Sequence, residues 1–500
     1  MDPATQDADP AAIPSNSSLR NRLMEVSFQI NDLYAQIERL EAERKSIATA
    51  LDTIVYPILS LPVDITTEIF AHYFDDLLDD GGKLQIPVFN LERARHAGPL
   101  CLSHVCRAWR SIAVQMPSLW NRIRATSLQK NPPGPDWRKL LDCWLSRTGS
   151  HMLYLDFVGS QHRDVQTRLL FPSIASYSPR WRVLGCHLNT PILFPIDTIR
   201  GRIPLLRELD VRRQDIDAPG DAVTAFSEAP ELRKVQLWHL PPDSISLPWA
   251  QLTNLTLFGQ SIACAIDVLH QTPNLVELSL DLRQRPGEAP PTPVILHHVR
   301  KLSLPNAFQR FSKFLHYLTL PRLTTFDIRS SSPAQDDDVA AVLALFRLSH
   351  CVVESVVCGG RYEDMALSTL AMTDMARTVT LHANWFQSAL SKLFVRIATN
   401  PTFLPNLETL YLPDCETGIP FAEIADMLSA RWYNRGTELR LKTFHLIRKA
   451  GCVDHIPDAS VVAKFRALMD DGVDIRIETA TKHTFESSYY LRQVSMLTRA

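Results

Sequence analysis

One short pattern recurs along most of this 500-residue chain and limits what it can fold into: apolar-x-x-apolar-x-apolar. It stands as "LRELDV" (206–211), "LRKVQL" (232–237), "LTNLTL" (252–257), "LVELSL" (275–280), "VRKLSL" (299–304) and "LTTFDI" (323–328). Looser copies are "MLYLDF" (152–157), "WRVLGC" (181–186) and "ARTVTL" (376–381), and "LETLYL" (407–412) and "LKTFHL" (441–446) close the series. The last three positions of each copy alternate in the period of a β-strand with one buried face. A proline often precedes the copy, as in "IPLL", "APEL", "TPNL" and "LPRL".

Most steps run 20 to 31 residues, within or near the spacing of leucine-rich repeats, in which each copy supplies a short parallel strand and a returning segment. The expected fold class is therefore α/β, with an irregular leucine-rich-repeat-like solenoid over 151–500. The alternative is an ordinary α/β domain whose strands are rich in leucine. The polar position that closes a repeat is met by Cys415 in "LETLYLPDC" and Asn384 in "ARTVTLHAN", but not by most copies. On such strands the residues between the leucines line the other face: Glu208, Asp210 and Arg212, then Lys234, Gln236 and Trp238, then Asn254, Thr256 and Phe258. Glu277, Ser279, Lys301, Ser303, Asp327 and Arg329 continue the series. Trp238 and Phe258 occupy equivalent places on neighbouring copies and, with Tyr411, are the candidate substrate-binding residues.

The first 18 residues, rich in Pro, Ala, Asp and Ser, read as a disordered tail without the basic and apolar regions of a secretory signal. Residues 19–57 read as a coiled-coil helix. Leu23, Ile30, Ile37, Arg44 and Leu51 fall at a, and Val26, Leu33, Leu40, Ile47 and Ile54 at d. From Ser27 onward the e and g positions carry no strong charge code, and Arg44 favours a register that brings it to a glutamate such as Glu43. Self-association through residues 23–54, pairing with another coiled coil or folding back on the chain each suits the pattern.

Between coil and strands lie "LSLPVDITTEIF" and "LSHVCRAWRSIAVQMPSLW". In the second, Leu102, Val105, Cys106, Trp109, Ile112, Ala113 and Met116 share one face of a single helix that Pro117 ends. The two stretches, with an insertion at 75–98, resemble an F-box over 58–124. That resemblance implies a three-helix unit that docks on the Skp adaptor of a Skp–cullin–F-box ubiquitin ligase, and through it a cullin. The matching adaptor-contact positions are Leu61, Pro62, Ile65, Ile69, Val105, Cys106, Trp109, Leu119 and Trp120. Within that set Ile65 and Ile69 also suit an internal core, and Cys106 a small packed hydrophobe, whereas Leu61, Pro62 and the "PSLW" end suit contact. "WRKLLDCWLSRTG" then forms a helical cap in a linker over 125–150, ended by Gly149.

Net charge is −2, from 52 basic and 54 acidic residues, which offers no electrostatic case for nucleic acid or an anionic membrane. No apolar run reaches the ~18 residues of a membrane span. Nine scattered cysteines suit a reducing, intracellular compartment, cytoplasmic or nuclear. No phosphate loop, nucleophile elbow or zinc motif is present, so no catalytic residue, cofactor or metal is expected. The expected function is a non-catalytic, substrate-recruiting ligase adaptor; the rival is a coiled-coil and repeat scaffold without a ligase role.

Overall fold

A computed structural model describes residues 16–52, 58, 61–75, 98–126, 137–158, 171–188, 196–213, 222–283, 292–307, 312–330, 336–360, 363–382, 387–415, 418–434, 440–448, 457–482 and 489–492. Residues 1–15 of the expected tail, Ile54 of the heptads, 76–97 of the insertion and Asn384 lie outside this set. The chain divides into two compact units, 1–66 and 67–500.

The first unit is dominated by α1 (Asn16–Asp52), a single helix of 37 residues. Its sequence holds no proline or glycine and many good helix formers, so nothing interrupts it. α2 (Val63–Asp75) starts in the same unit. Pro62 sits just before it, where a missing N–H costs nothing, and its carbonyl accepts the Thr66 N–H at 3.1 Å.

The second unit opens with the remainder of α2, then α3 (Gly98–Val105), α4 (Arg107–Gln115) and a 3₁₀ turn at Pro117–Leu119. The expected single helix over 102–116 is thus two. Cys106 breaks it in an extended conformation, and its Sγ accepts the Trp109 N–H at 3.4 Å as an N-cap. The Arg110 Nε donates to the Ser103 carbonyl at 2.8 Å, occupying an acceptor that the break leaves open.

The sheet follows at once: β1 (Arg122–Thr126), α5 (Trp137–Arg147), β2 (Leu153–Val158), β3 (Trp181–Leu188) and β4 (Glu208–Arg213). Next come β5 (Lys234–Trp238), β6 (Asn254–Ser261), α6 (Ile262–Gln271), β7 (Glu277–Arg283), β8 (Val294–Ile295), β9 (Lys301–Ala307) and the short α7 (Ser312–Leu315). β10 (Leu318–Thr319) and β11 (Thr325–Ser330) precede α8 (Asp336–Ser349), β12 (Ser355–Gly360), α9 (Glu363–Ala371) and β13 (Thr378–His382). The last elements are α10 (Gln387–Thr399), β14 (Thr409–Cys415), α11 (Phe421–Tyr433), β15 (Thr443–Arg448), α12 (Ala459–Asp470), β16 (Asp474–Lys482) and β17 (Tyr489–Arg492).

The expected leucine-rich-repeat-like solenoid is corrected by this arrangement. The structure is an α/β fold: fourteen strands, β1 to β16 without β8 and β10, pair in parallel in one sheet, with twelve α-helices among the described residues. β17 adds an antiparallel edge, and β8 and β10 pair separately. The strand pattern was legible, but it does not distinguish a uniform repeat from any parallel strand covered on one face by helices. Spacing between strand starts runs from 20 residues (Lys234 to Asn254) to 34 (Thr409 to Thr443). The returning segments are equally unequal, from 3₁₀ turns at Pro242–Ser244 to the 14 residues of α8.

The predicted inward residues form the core. Leu209, Val235, Leu237, Leu255, Leu278, Leu302 and Phe326 are all 1% exposed or less, in one cluster that reaches Phe70 and Trp120 at one end and Ile475 at the other. Gly149 follows α5 at φ +52°, as a C-terminal glycine should. The run Asp336, Asp337 and Asp338 opens α8, where carboxylates favour the helix N-terminus.

Candidate functional site

Two surfaces carry the residues singled out above. In the helical module, aromatic side chains are consumed internally. Phe70 is fully buried and meets Trp109 edge to face at 4.9 Å, and the Gly98 N–H donates to the Tyr73 hydroxyl at 3.1 Å. Leu119 and Trp120 are 1% and 0% exposed, so these two side chains face the chain's own interior, while Pro117 is half-buried and Ser118 exposed. The Trp120 Nε1–H donates to the Ala113 carbonyl at 2.7 Å, and Trp144 Nε1–H donates to the Trp120 carbonyl at 2.9 Å. The two indoles lie edge to face at 4.7 Å, with the Arg147 guanidinium 4.4 Å from the Trp120 ring. A unit of a few short helices must close its core against something, and here it closes on α5 and the first strands.

The aliphatic positions do the opposite. Leu61, Ile65, Ile69 and Val105 are 38%, 49%, 40% and 57% exposed, Pro62 is exposed, and Cys106 and Trp109 are half-buried. Ile65 and Ile69, read as suiting an internal core, lie one turn apart on α2 with their side chains in water. α2 buries Phe70 and Phe74 instead, since the larger rings fill the space against α3 and α4.

The second surface is the sheet face opposite the leucines. Register places the expected residues in straight rows across six adjacent strands. Glu208, Lys234, Asn254, Glu277, Lys301 and Thr325 form one row, and Asp210, Gln236, Thr256, Ser279, Ser303 and Asp327 the next. Arg212, Trp238, Phe258 and Asp281 begin a third. Trp238 and Phe258 stack with centroids 4.4 Å apart, and the Arg212 guanidinium lies 4.4 Å from the Trp238 ring. Arg212 is also held by Asp210 through two bonds of 3.2 and 3.0 Å. The same Asp-x-Arg pairing recurs at Asp327–Arg329, with bonds of 3.1 and 3.2 Å, and at Asp474–Arg476, with bonds of 3.0 Å. These clamps escaped the sequence reading, although two residues apart on a strand is the same face and "DVR", "DIR" and "DIR" stand plainly in the chain.

Tyr411 stands apart. It lies on β14, six strands beyond β6, or about 29 Å away at the usual strand spacing, and its ring meets His445 at 5.1 Å. Cys415 is buried at the end of the same strand.

Just after β5 and at an irregularity within β6 the backbone turns sharply beside the aromatic pair. His239 takes φ 56°, its N–H donates to the Phe258 carbonyl at 2.8 Å, and its ring stands edge-on to Phe258. Gly259 takes φ 72°, and a Cβ there would lie 2.0 Å from His239 Nδ1. Gly259→Ala is therefore expected to cost about 2 kcal/mol, from left-handed strain together with displacement of His239. A urea titration of the variant measures that loss; wild-type stability would mean the turn adjusts freely.

In comparison with known proteins, no family model and no curated protein matches the chain.

The carboxylates of Asp210 and Asp327 are each engaged by the arginine two residues on. Burial drives the Cys186 and Cys358 thiols far upward, which keeps them protonated. Among the described residues no three His, Cys, Asp or Glu side chains gather as metal ligands, and no helix is long and apolar enough to cross a membrane.

Proposed function

We propose that this chain is a substrate-recruiting adaptor of a Skp–cullin–F-box type ubiquitin ligase. The helical module docks the Skp adaptor, and the sheet face around Trp238 and Phe258 holds a protein to be modified. The observation that carries the reading is the division of labour in the F-box-like stretch. Its aromatics are spent on the internal core, while Leu61, Ile65, Ile69 and Val105 stay in water, where aliphatic side chains gain by being covered. Catalysis in this reading is positional: the chain raises the local concentration of substrate near a charged enzyme and makes no bond itself. An intracellular setting, cytoplasmic or nuclear, goes with it.

Ile69→Asp with Val105→Asp tests this on exposed positions. The double variant is expected to weaken binding of purified Skp adaptor at least a hundredfold in calorimetric titration, with unfolding unchanged within about 0.5 kcal/mol. Unaltered affinity in the double variant would move the docking surface elsewhere. The exposed apolar stripe of α1 favours a second reading, a self-associating scaffold without a ligase role. That reading is upheld if wild-type protein fails to bind the adaptor at all.

A further inference from the structure

α1 carries an apolar stripe that nothing covers among the described residues. Leu19, Leu23, Ile30, Leu33, Ile37 and Leu40 are between 46% and 67% exposed. A lone helix of this kind gains from a partner that matches its stripe, and the charges along its margins decide which partner.

In a parallel pair of α1 helices the margins match nothing. Arg44 would face its own copy at an a position, and the g-to-e contacts would join Arg22 to Ser27, Gln29 to Tyr34 and Gln36 to Glu41. The antiparallel arrangement pairs a with d, e with e and g with g. Consider the register in which facing core residues sum to 63: Leu23 with Leu40, Val26 with Ile37, and Ile30 with Leu33. By two-fold symmetry each layer occurs twice, so all the central layers are apolar. The flanking positions then meet with axial offsets of about 3 Å. Arg20 meets Glu41 at e, Arg22 meets Glu43 at g, Gln29 meets Gln36 at g, and Ser27 meets Tyr34 at e.

We propose that α1 associates with α1 of a second copy as an antiparallel coiled coil in this register, with four Arg–Glu pairs across the interface. Arg44 falls at the end of the overlap against Leu19, where its long stem covers the leucine and its charge reaches water. A slip of one heptad toward the C-terminus would put Arg44 against Val26 in mid-coil and lose the arginine–glutamate pairs. Arg22 already holds Glu25 of its own helix at 2.8 Å, so in the dimer it bridges two carboxylates. The two Asp52 residues leave the rod about 60 Å apart, at opposite ends.

The test uses the full chain and sedimentation equilibrium, with circular dichroism as a check on helix content. Wild type is expected to be a dimer. R20E/R22E and E41R/E43R, each made entirely of like charges at these margins, are each expected to dimerise about a hundredfold more weakly. An equimolar mixture of the two variants restores opposite charges at all four contacts, and is expected to form a one-to-one heterodimer with wild-type affinity. A monomeric wild type, a dimer indifferent to both charge reversals, or a mixture that stays monomeric would each overturn the proposal. None of these outcomes depends on whether the Skp adaptor binds.

Discussion

Arg431→Ala is expected to destabilise the second unit by about 4 kcal/mol, the largest effect of any single substitution considered for this chain. Arg431 on α11 is 2% exposed, and its guanidinium meets the protein through carbonyl oxygens. Nε donates to Ile397 at 2.8 Å, Nη1 to Leu404 at 3.0 Å, and Nη2 to Asn400 and Phe403. Those carbonyls belong to the end of α10 and the turn after it, where helical acceptors have no partner of their own and the dipole is negative. One planar fork thus supplies the C-terminal cap that a glycine gives elsewhere, and Leu404 sits at φ 49° beside it. Removing it leaves several buried carbonyls without donors as well as a cavity. Arg431→Lys is expected to recover less than half the loss, because one ammonium on a shorter reach cannot serve acceptors arranged for a fork. Urea unfolding of both variants measures this; a lysine variant as stable as wild type would show that charge alone matters.

Trp120→Ala is expected to cost nearly as much, about 3–4 kcal/mol. The indole is wholly buried, donates to Ala113 from the end of α4, and packs on Trp144 of α5. Its own carbonyl takes the Trp144 Nε1–H, so one residue joins the helical module to its cap. β1 begins two residues later, and the Tyr154 N–H donates to the Asn121 carbonyl at 2.9 Å. Losing Trp120 should therefore loosen the module and the sheet's first edge in one transition. Thermal unfolding followed by far-ultraviolet circular dichroism gives the size of the loss, and a Tm within a degree of wild type would contradict this role. The contrast with Ile69→Asp is informative: one substitution removes stability, the other only adaptor affinity.

Much of this was legible in the residues. Alternation alone placed Glu208, Lys234, Asn254, Glu277 and Lys301 on one face, and parallel register then put them in a row. The Trp238–Phe258 pair followed from equivalent positions on consecutive strands. Other features lay beyond a periodic reading. The apolar spacing through 102–116 continues across Cys106, so nothing in it signals that a thiol caps a second helix there. Leu119 and Trp120 look like an exposed end until α5 closes over them, a contact between residues 24 apart. A stripe of leucines cannot say whether its strands belong to a uniform repeat or to a sheet with unequal crossovers. The heptads, finally, show only Glu41 and Glu43 as charges at e and g when scanned from Ser27; Arg20 and Arg22 become their partners only when the helix is reversed against itself.

The central claim is that the helical module binds the Skp adaptor through aliphatic side chains left in water. Its most direct test is size-exclusion chromatography with light scattering, on the full chain alone and after co-expression with the Skp adaptor. The account predicts one adaptor per chain in a stable complex, with the antiparallel coil doubling the mass of both samples. It also predicts that Ile69→Asp with Val105→Asp leaves the chain folded and alone. Well-folded wild-type protein that elutes without the adaptor would contradict the claim.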